Sequence, residues 1–103
     1  MDTNTTTHRV PRPKTHRVPD EYSGGYTFTM TDAYGEPRKY LVRRDLANPE
    51  WGWNVYKRSE LREYHWDLII DQMSSRDYAM KVAVADSLRR GITSVSANDV
   101  EWA

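Results

Sequence analysis

The chain has no cysteine. That excludes disulfide staples, zinc–thiolate sites and thiol nucleophiles, and in so small a protein it fits a reducing, cytoplasmic setting. Long apolar runs are also missing. The longest run of Leu, Ile and Val is Leu68-Ile69-Ile70, far short of the ~20 residues that span a bilayer. The polar, proline-broken first 20 residues lack the apolar stretch of a secretion signal. With only five glycines there is no Walker A or G-x-G-x-x-G sequence to cradle phosphates, and G-x-S-x-G is missing as well. The three histidines, His8, His16 and His65, show no HExxH spacing, so no metal or other cofactor is expected. His65, Asp67 and Asp71 can share a strand face, but a solvent face has the same composition, so no catalytic residue is assigned. A net charge of zero, from 15 basic and 15 acidic residues, argues against a uniformly basic nucleic-acid surface.

What is abundant is aromatic. Four Trp and seven Tyr in 103 residues give one small domain large buried areas per side chain. Charge is unevenly placed. Residues 1–62 hold 11 Lys/Arg against 8 Asp/Glu, and residues 63–103 hold 4 against 7, so the two parts carry +3 and −3.

Residues 1–22 read as a disordered basic arm. Thr7-His8-Arg9-Val10-Pro11 recurs as Thr15-His16-Arg17-Val18-Pro19, with Arg9, Arg12, Lys14 and Arg17 as its cations; two copies are too few for a solenoid. After Gly24-Gly25, the run Tyr26–Thr31 alternates strictly and predicts a half-buried strand. Arg38–Arg44 predicts a second strand, with Lys39, Leu41 and Arg43 on one face. Trp51, Trp53 and Val55 predict a third. Tyr64, Trp66, Leu68 and Ile70 alternate with His65, Asp67, Ile69 and Asp71 to predict a fourth, its apolar set turned to the core because a one-residue slip would bury two aspartates. A helix follows, with Ser74 as N-cap, Asp77 three residues on, and Gly91 at the C-terminal cap. Its apolar ridges are Tyr78/Val82/Ala85 and Met80/Val84/Leu88, with Asp86, Ser87, Arg76 and Arg90 toward solvent. Ile92 and Val95 are expected to finish the packing, and residues 93–103 to form a tail or one short helical turn.

These pieces predict an α+β fold for residues 23–92. It is a two-layer, four-stranded antiparallel meander packed by one C-terminal helix, β-β-β-β-α. The open face is expected to show Thr27, Thr29 and Thr31, then Lys39, Leu41 and Arg43, then Asn54, Tyr56 and Arg58, then His65, Asp67 and Ile69.

The run Tyr40-x-Val42-Arg43, Trp53-x-Val55-Tyr56, Trp66-x-Leu68 and a serine-led helix with Tyr78-Ala79 resembles AP2-type and integrase-arm DNA-binding domains over Lys39–Leu88. The resemblance implies a sheet rich in Arg and Trp that lies in the major groove. The sequence departs from that layout by an extra strand, Tyr26–Thr31, and by Ile69–Met73 where the family has a short glycine turn. Its compact, cysteine-free, Tyr/Trp-rich character is also similar to that of small bacteriophage accessory proteins.

Function reads first as a non-catalytic protein-interaction module, a small regulator or inhibitor docking on a larger protein. Tyr34, Trp51, Tyr56 and Trp102 are its aromatic anchors. The alternative is DNA or RNA binding by the arm and sheet, through Arg9, Arg12, Lys14, Arg17, Lys39, Arg43, Lys57 and Arg58. No membrane partner is expected, and an edge strand leaves a homodimer open.

Overall fold

The structure is a computed structural model and describes residues 7–22, 24–89 and 95–103. Arg90, Gly91 and Ile92 lie outside the described residues. The elements are β1 (His8–Val10), β2 (His16–Arg17), β3 (Tyr26–Thr31), β4 (Pro37–Arg44), β5 (Trp53–Arg58), β6 (Trp66–Met73), α1 (Arg76–Leu88) and β7 (Val100–Trp102). The protein is α+β: an antiparallel sheet in the order β2-β3-β4-β5-β6, and a two-stranded parallel pair of β1 with β7.

The sheet therefore has five strands rather than four. The fifth comes from the segment read as a disordered arm. His16 pairs with Thr27 and Arg17 with Tyr26, while His8, Arg9 and Val10 pair with Val100, Glu101 and Trp102. Both copies of the His-Arg-Val repeat thus contribute a strand, one to the parallel pair with β7 and one to the edge of the five-stranded sheet. Two- and three-residue ladders with distant partners leave no alternation long enough to register in a sequence.

Strict alternation sets the faces of β3, β4 and β5. Tyr26, Val42 and Val55 are in register, as are Phe28, Tyr40 and Lys57. Side chains of such opposed residues share a face. The helix covers that face: Phe28, Tyr40, Val42 and Val55 are buried with Ala79, Met80 and Ala83. The Tyr40 hydroxyl reaches across the interface to donate to Asp86 Oδ2 at 2.8 Å.

Small residues set the helix's buried stripe. Ala79, Ala83 and Ser87 are fully buried beside Met80 and Val84, at the i, i+4 spacing of one helix ridge. Ser87, expected toward solvent, lies inside and returns its hydroxyl to Val84 O at 2.7 Å. The N-cap is Ser75 rather than Ser74, its Oγ accepting from the Tyr78 amide at 3.0 Å. Asp77 thereby moves off the capping position. It accepts from Trp102 Nε1 at 2.8 Å and pairs with Arg12 at 3.0 Å.

A second cluster, Val84, Ala85, Val95 and Val100 with Val10, Leu88 and Trp102 against it, ties the β1–β7 pair to the helix. Residues 97–99 form a single 3-10 turn, and Val100–Trp102, expected as part of a tail or helical turn, is instead a strand because it pairs with His8–Val10.

The third strand starts at Trp53, not Trp51. Trp51 closes a 3-10 turn at Pro49–Trp51 and is about half exposed. Gly52 follows at φ 101°, where a Cβ would come within 2.3 Å of Met73 O. Only glycine lets the chain pass β6 there.

The fourth long strand, β6, differs most from the sequence reading. Trp66 pairs with Arg58 and Leu68 with Tyr56, so both lie on the open face, whereas Asp67 pairs with Lys57 and Met73 with Trp53 on the helix side. Ile69, not Leu68, packs against the core. Register shifts around Val55 and the left-handed Gln72 (φ 61°) carry the strand out of simple alternation, and Asn54 Oδ1 holds the Gln72 amide at 3.3 Å. The two-aspartate argument fails because β6 is the edge strand. Its helix-side positions at the two acids are not sealed: Asp67 is half-buried and Asp71 exposed.

Candidate functional site

The open face of the sheet is built from odd positions of β3 and β4 and even positions of β5 and β6. It presents Thr27 and Thr29, then Lys39, Leu41 and Arg43, then Asn54, Tyr56 and Arg58, then Trp66 and Leu68. Its first three strands are those expected from sequence. In the fourth, Trp66 and Leu68 replace His65, Asp67 and Ile69. No Asp or Glu occupies these strand positions, while three cations do.

The arginines are stacked on rings. The Arg43 guanidinium lies 4.8 Å from the Tyr56 ring centroid and donates to the Tyr56 hydroxyl at 3.1 Å. Arg58 lies 5.3 Å from Tyr64 and 5.5 Å from Trp66. Each such pair is worth roughly 0.5–1 kcal/mol at an exposed site, and it fixes the direction of a side chain that would otherwise roam. Leu41, 3% exposed between Thr27 and Tyr56, gives the face an apolar floor. Leu68 remains 54% exposed.

Two clefts lie at opposite ends of the sheet. One, of about 290 Å³, is lined by Thr29, Arg38, Lys39, Lys57, Arg58 and Glu60 among others. Arg38 there is held by Asp32 at 3.1 Å and Glu60 at 2.8 Å, so Lys39, Lys57 and Arg58 supply the charge. The other, of about 190 Å³, lies at the opposite end of β4, lined mainly by Arg17, Tyr26, Arg44 and Trp53 in register on the helix side, with Arg43, Gly25 and Asp20 beside them.

Turn acids fix both ends. Burial pushes the Asp32 carboxyl upward, but the amides of Glu36 and Tyr34 and the Arg38 guanidinium outweigh it, holding it below its ordinary value. Asp45 is lowered as well, chiefly by the Asn48 amide. Its Oδ1 accepts from the Ala47 and Asn48 amides at 3.0 and 2.8 Å.

The nucleic-acid candidates fall into two groups. Lys39, Arg43 and Arg58 share the open face, Lys57 and Arg17 line the two clefts from positions opposite Tyr40 and Tyr26 on the helix side, and Lys14 is exposed on the chain leading to β2. Arg9 and Arg12 sit with the helix layer instead. Arg9 is on β1 opposite Glu101, and Arg12 is clamped between Asp77 and the Trp102 ring, 4.9 Å away.

The four aromatic anchors do not converge. Tyr34 is 77% exposed at the β3–β4 turn, and Trp51 lies in the β4–β5 loop at the opposite end of β4. Tyr56 is on the open face, and Trp102 folds back on the helix. Sequence reasoning misses Trp66 and Tyr64 as site residues, because alternation sends Trp66 to the core and makes Tyr64 the start of a strand. The signal that could have found them is the Arg58-flanked Tyr64-x-Trp66 spacing next to a turn. No family model, curated protein or solved structure matches the chain. No helix among the described residues is long and apolar enough to cross a membrane.

Proposed function

We propose that this protein binds nucleic acid, without catalysis, through the open face of its sheet. The observation that carries this is the face whose strand positions hold Lys39, Arg43 and Arg58 among Tyr56, Trp66 and Leu68 and no acid, the loop acids Glu60 and Asp45 lying at its ends. Cations attract phosphate and release counterions; aromatic rings and stacked guanidinium planes hold bases. With Asp67 on the other side, the acid that alternation put on this face is gone. A net charge of zero is compatible with this, because what matters locally is the sign of the contacting face.

The test is binding of labelled mixed-sequence DNA and RNA at a series of salt concentrations. Affinity is expected to fall steeply with salt. Lys39→Ala/Arg58→Ala should flatten the log–log slope by about 1.4, at ~0.7 for each single-strand phosphate left without its cation. Absence of binding at low salt, or a slope unchanged in the double variant, overturns the reading.

The same residue types also recognise proteins, since Arg, Tyr and Trp dominate interface hot spots. The protein-docking reading draws its support from the exposed Leu68 and Tyr64, at 54% and 80%. A partner protein retained after nuclease treatment, and lost in Leu68→Ser, would favour it.

A further inference from the structure

We infer that the cleft beside the β5–β6 turn takes the phosphorylated end of a nucleic-acid strand, its terminal phosphate among Lys39, Lys57 and Arg58 and its last base on the Tyr64–Arg58–Trp66 stack. This rests on the nucleic-acid reading above and adds to it which part of the strand is held, and where.

The first support is charge left over in a concavity. The cleft holds about 290 Å³, and four cations and the Glu60 carboxylate line it. Arg38 is taken up by Glu60 at 2.8 Å and by Asp32 at 3.1 Å. Lys39, Lys57 and Arg58 form no ion pair with a carboxylate among the described residues. Asp67, across the ladder from Lys57, turns to His65 at 3.4 Å instead. Lys39 comes to the cleft from the open face and Lys57 from the helix side, opposite Tyr40. The four cations therefore outnumber Glu60 and Asp32 two to one. A terminal phosphate carries about −1.5 to −2 at pH 7 and matches that excess, whereas a phosphate inside the strand carries a single charge.

The second support is how Arg58 is held. Its guanidinium lies 5.3 Å from the Tyr64 ring centroid and 5.5 Å from that of Trp66. Ring contact covers the flat face of the group and leaves its N–H donors, which lie in the plane, for a phosphate. Tyr64 is 80% exposed, so the same stack offers a base a platform beside that phosphate. Ser59 adds a hydroxyl to the cleft wall: its Oγ accepts from the Leu61 and Arg62 amides at 3.1 and 3.0 Å and keeps its own proton to donate.

The third support is the backbone. Tyr64 stands at φ 60°, a left-handed conformation that costs a non-glycine residue roughly 1 kcal/mol. Glycine would relieve that strain and take away the ring on which Arg58 packs. Strain of this kind collects at ligand sites.

The experiment is fluorescence anisotropy at low salt with an internally labelled oligothymidylate of about six nucleotides, carrying a 5′ phosphate, a 3′ phosphate or neither. It is run on the full chain and on Lys39→Ala, Lys57→Met and Arg44→Ala, with a phosphotyrosyl peptide as the competing probe. Circular dichroism verifies that the variants fold. Lys39 is exposed and Lys57 half-buried, so Lys39→Ala carries the test if Lys57→Met does not fold. The expected result is that a phosphate at one of the two ends tightens binding about tenfold, the effect of one charge-assisted hydrogen bond. Lys39→Ala and Lys57→Met should erase that advantage, and Arg44→Ala, at the opposite end of β4, should keep it. Equal affinity with and without the phosphate, an advantage that both lysine variants retain, or a phosphopeptide bound as tightly as the phosphorylated strand overturns end recognition while leaving the sheet-face reading standing. No binding of any oligonucleotide overturns both.

Discussion

The two faces of the sheet are cut from the same alternating strands, yet they are finished in different ways. On one, Phe28, Tyr40, Val42 and Val55 meet Ala79, Met80 and Ala83, and water is excluded. On the other, Arg43 and Arg58 stand over rings, Lys39 shares the face, and Leu68 stays open. The helix face packs closely through small side chains. The open face keeps its large planar groups in half-exposed positions, where they cost stability little and remain accessible. On the proposed reading this is a division of labour, with folding free energy from one side of the strands and recognition from the other, so the two should be separable by mutation.

Tyr40→Ala should show the largest effect. It removes a fully buried ring and the hydroxyl bonded to Asp86, and a loss of about 3–5 kcal/mol is expected in urea unfolding. Tyr40→Phe keeps the ring and should lose about 1 kcal/mol. If the two variants were equally destabilised, the helix–sheet interface would rest on the hydrogen bond rather than on packing. Trp66→Ala is the counterpart on the open face. It should weaken nucleic-acid binding by ~1–3 kcal/mol while moving the unfolding midpoint far less than Tyr40→Ala. The opposite pattern would return Trp66 to the core, where alternation alone puts it.

A smaller effect separates two adjacent serines. Ser75→Ala should cost about 1 kcal/mol as an N-cap loss, and Ser74→Ala almost nothing; equal effects would contradict the cap geometry. Acid should act through the turn and helix carboxylates. For Asp77, burial pushes the carboxyl up, but the Trp102 and Arg12 interactions prevail and lower it; Asp32 is lowered too. A folded-state value below the unfolded one of ~3.9 gives stability that is fully present above that pH and is lost as pH falls through the folded value. Unfolding should therefore set in below about pH 4. Asp32→Asn should be less stable at neutral pH and show a shallower acid limb in a pH series of thermal melts. An unchanged acid limb would remove Asp32 from the account.

Much of this is legible in the chain. Tyr26–Thr31 alternates without exception, and its strand boundaries are those observed. The same period sends Lys39, Leu41, Arg43, Asn54, Tyr56 and Arg58 to the open face, and they are there. The fourth long strand is not legible. Leu68-Ile69-Ile70 supplies apolar residues to both faces, so the pattern alone fixes neither, and the bulge and the left-handed Gln72 break the period. Hydrophobic size misleads on the helix, because close packing uses Ala79, Ala83 and Ser87, which a search for large apolar residues passes over. The arm strands rest on pairings with residues 26–27 and 100–102, and no local pattern announces a partner that distant.

The most direct measurement of the division between faces is a methyl and indole NMR titration of the full chain with a single-stranded oligonucleotide. The expected result is movement of the Leu41 and Leu68 methyls and the Trp66 indole, with Met80, Val84 and the Trp102 indole unmoved. Shifts confined to Met80, Val82 and Trp102, with Leu68 and Trp66 silent, would contradict the assignment of recognition to the open face.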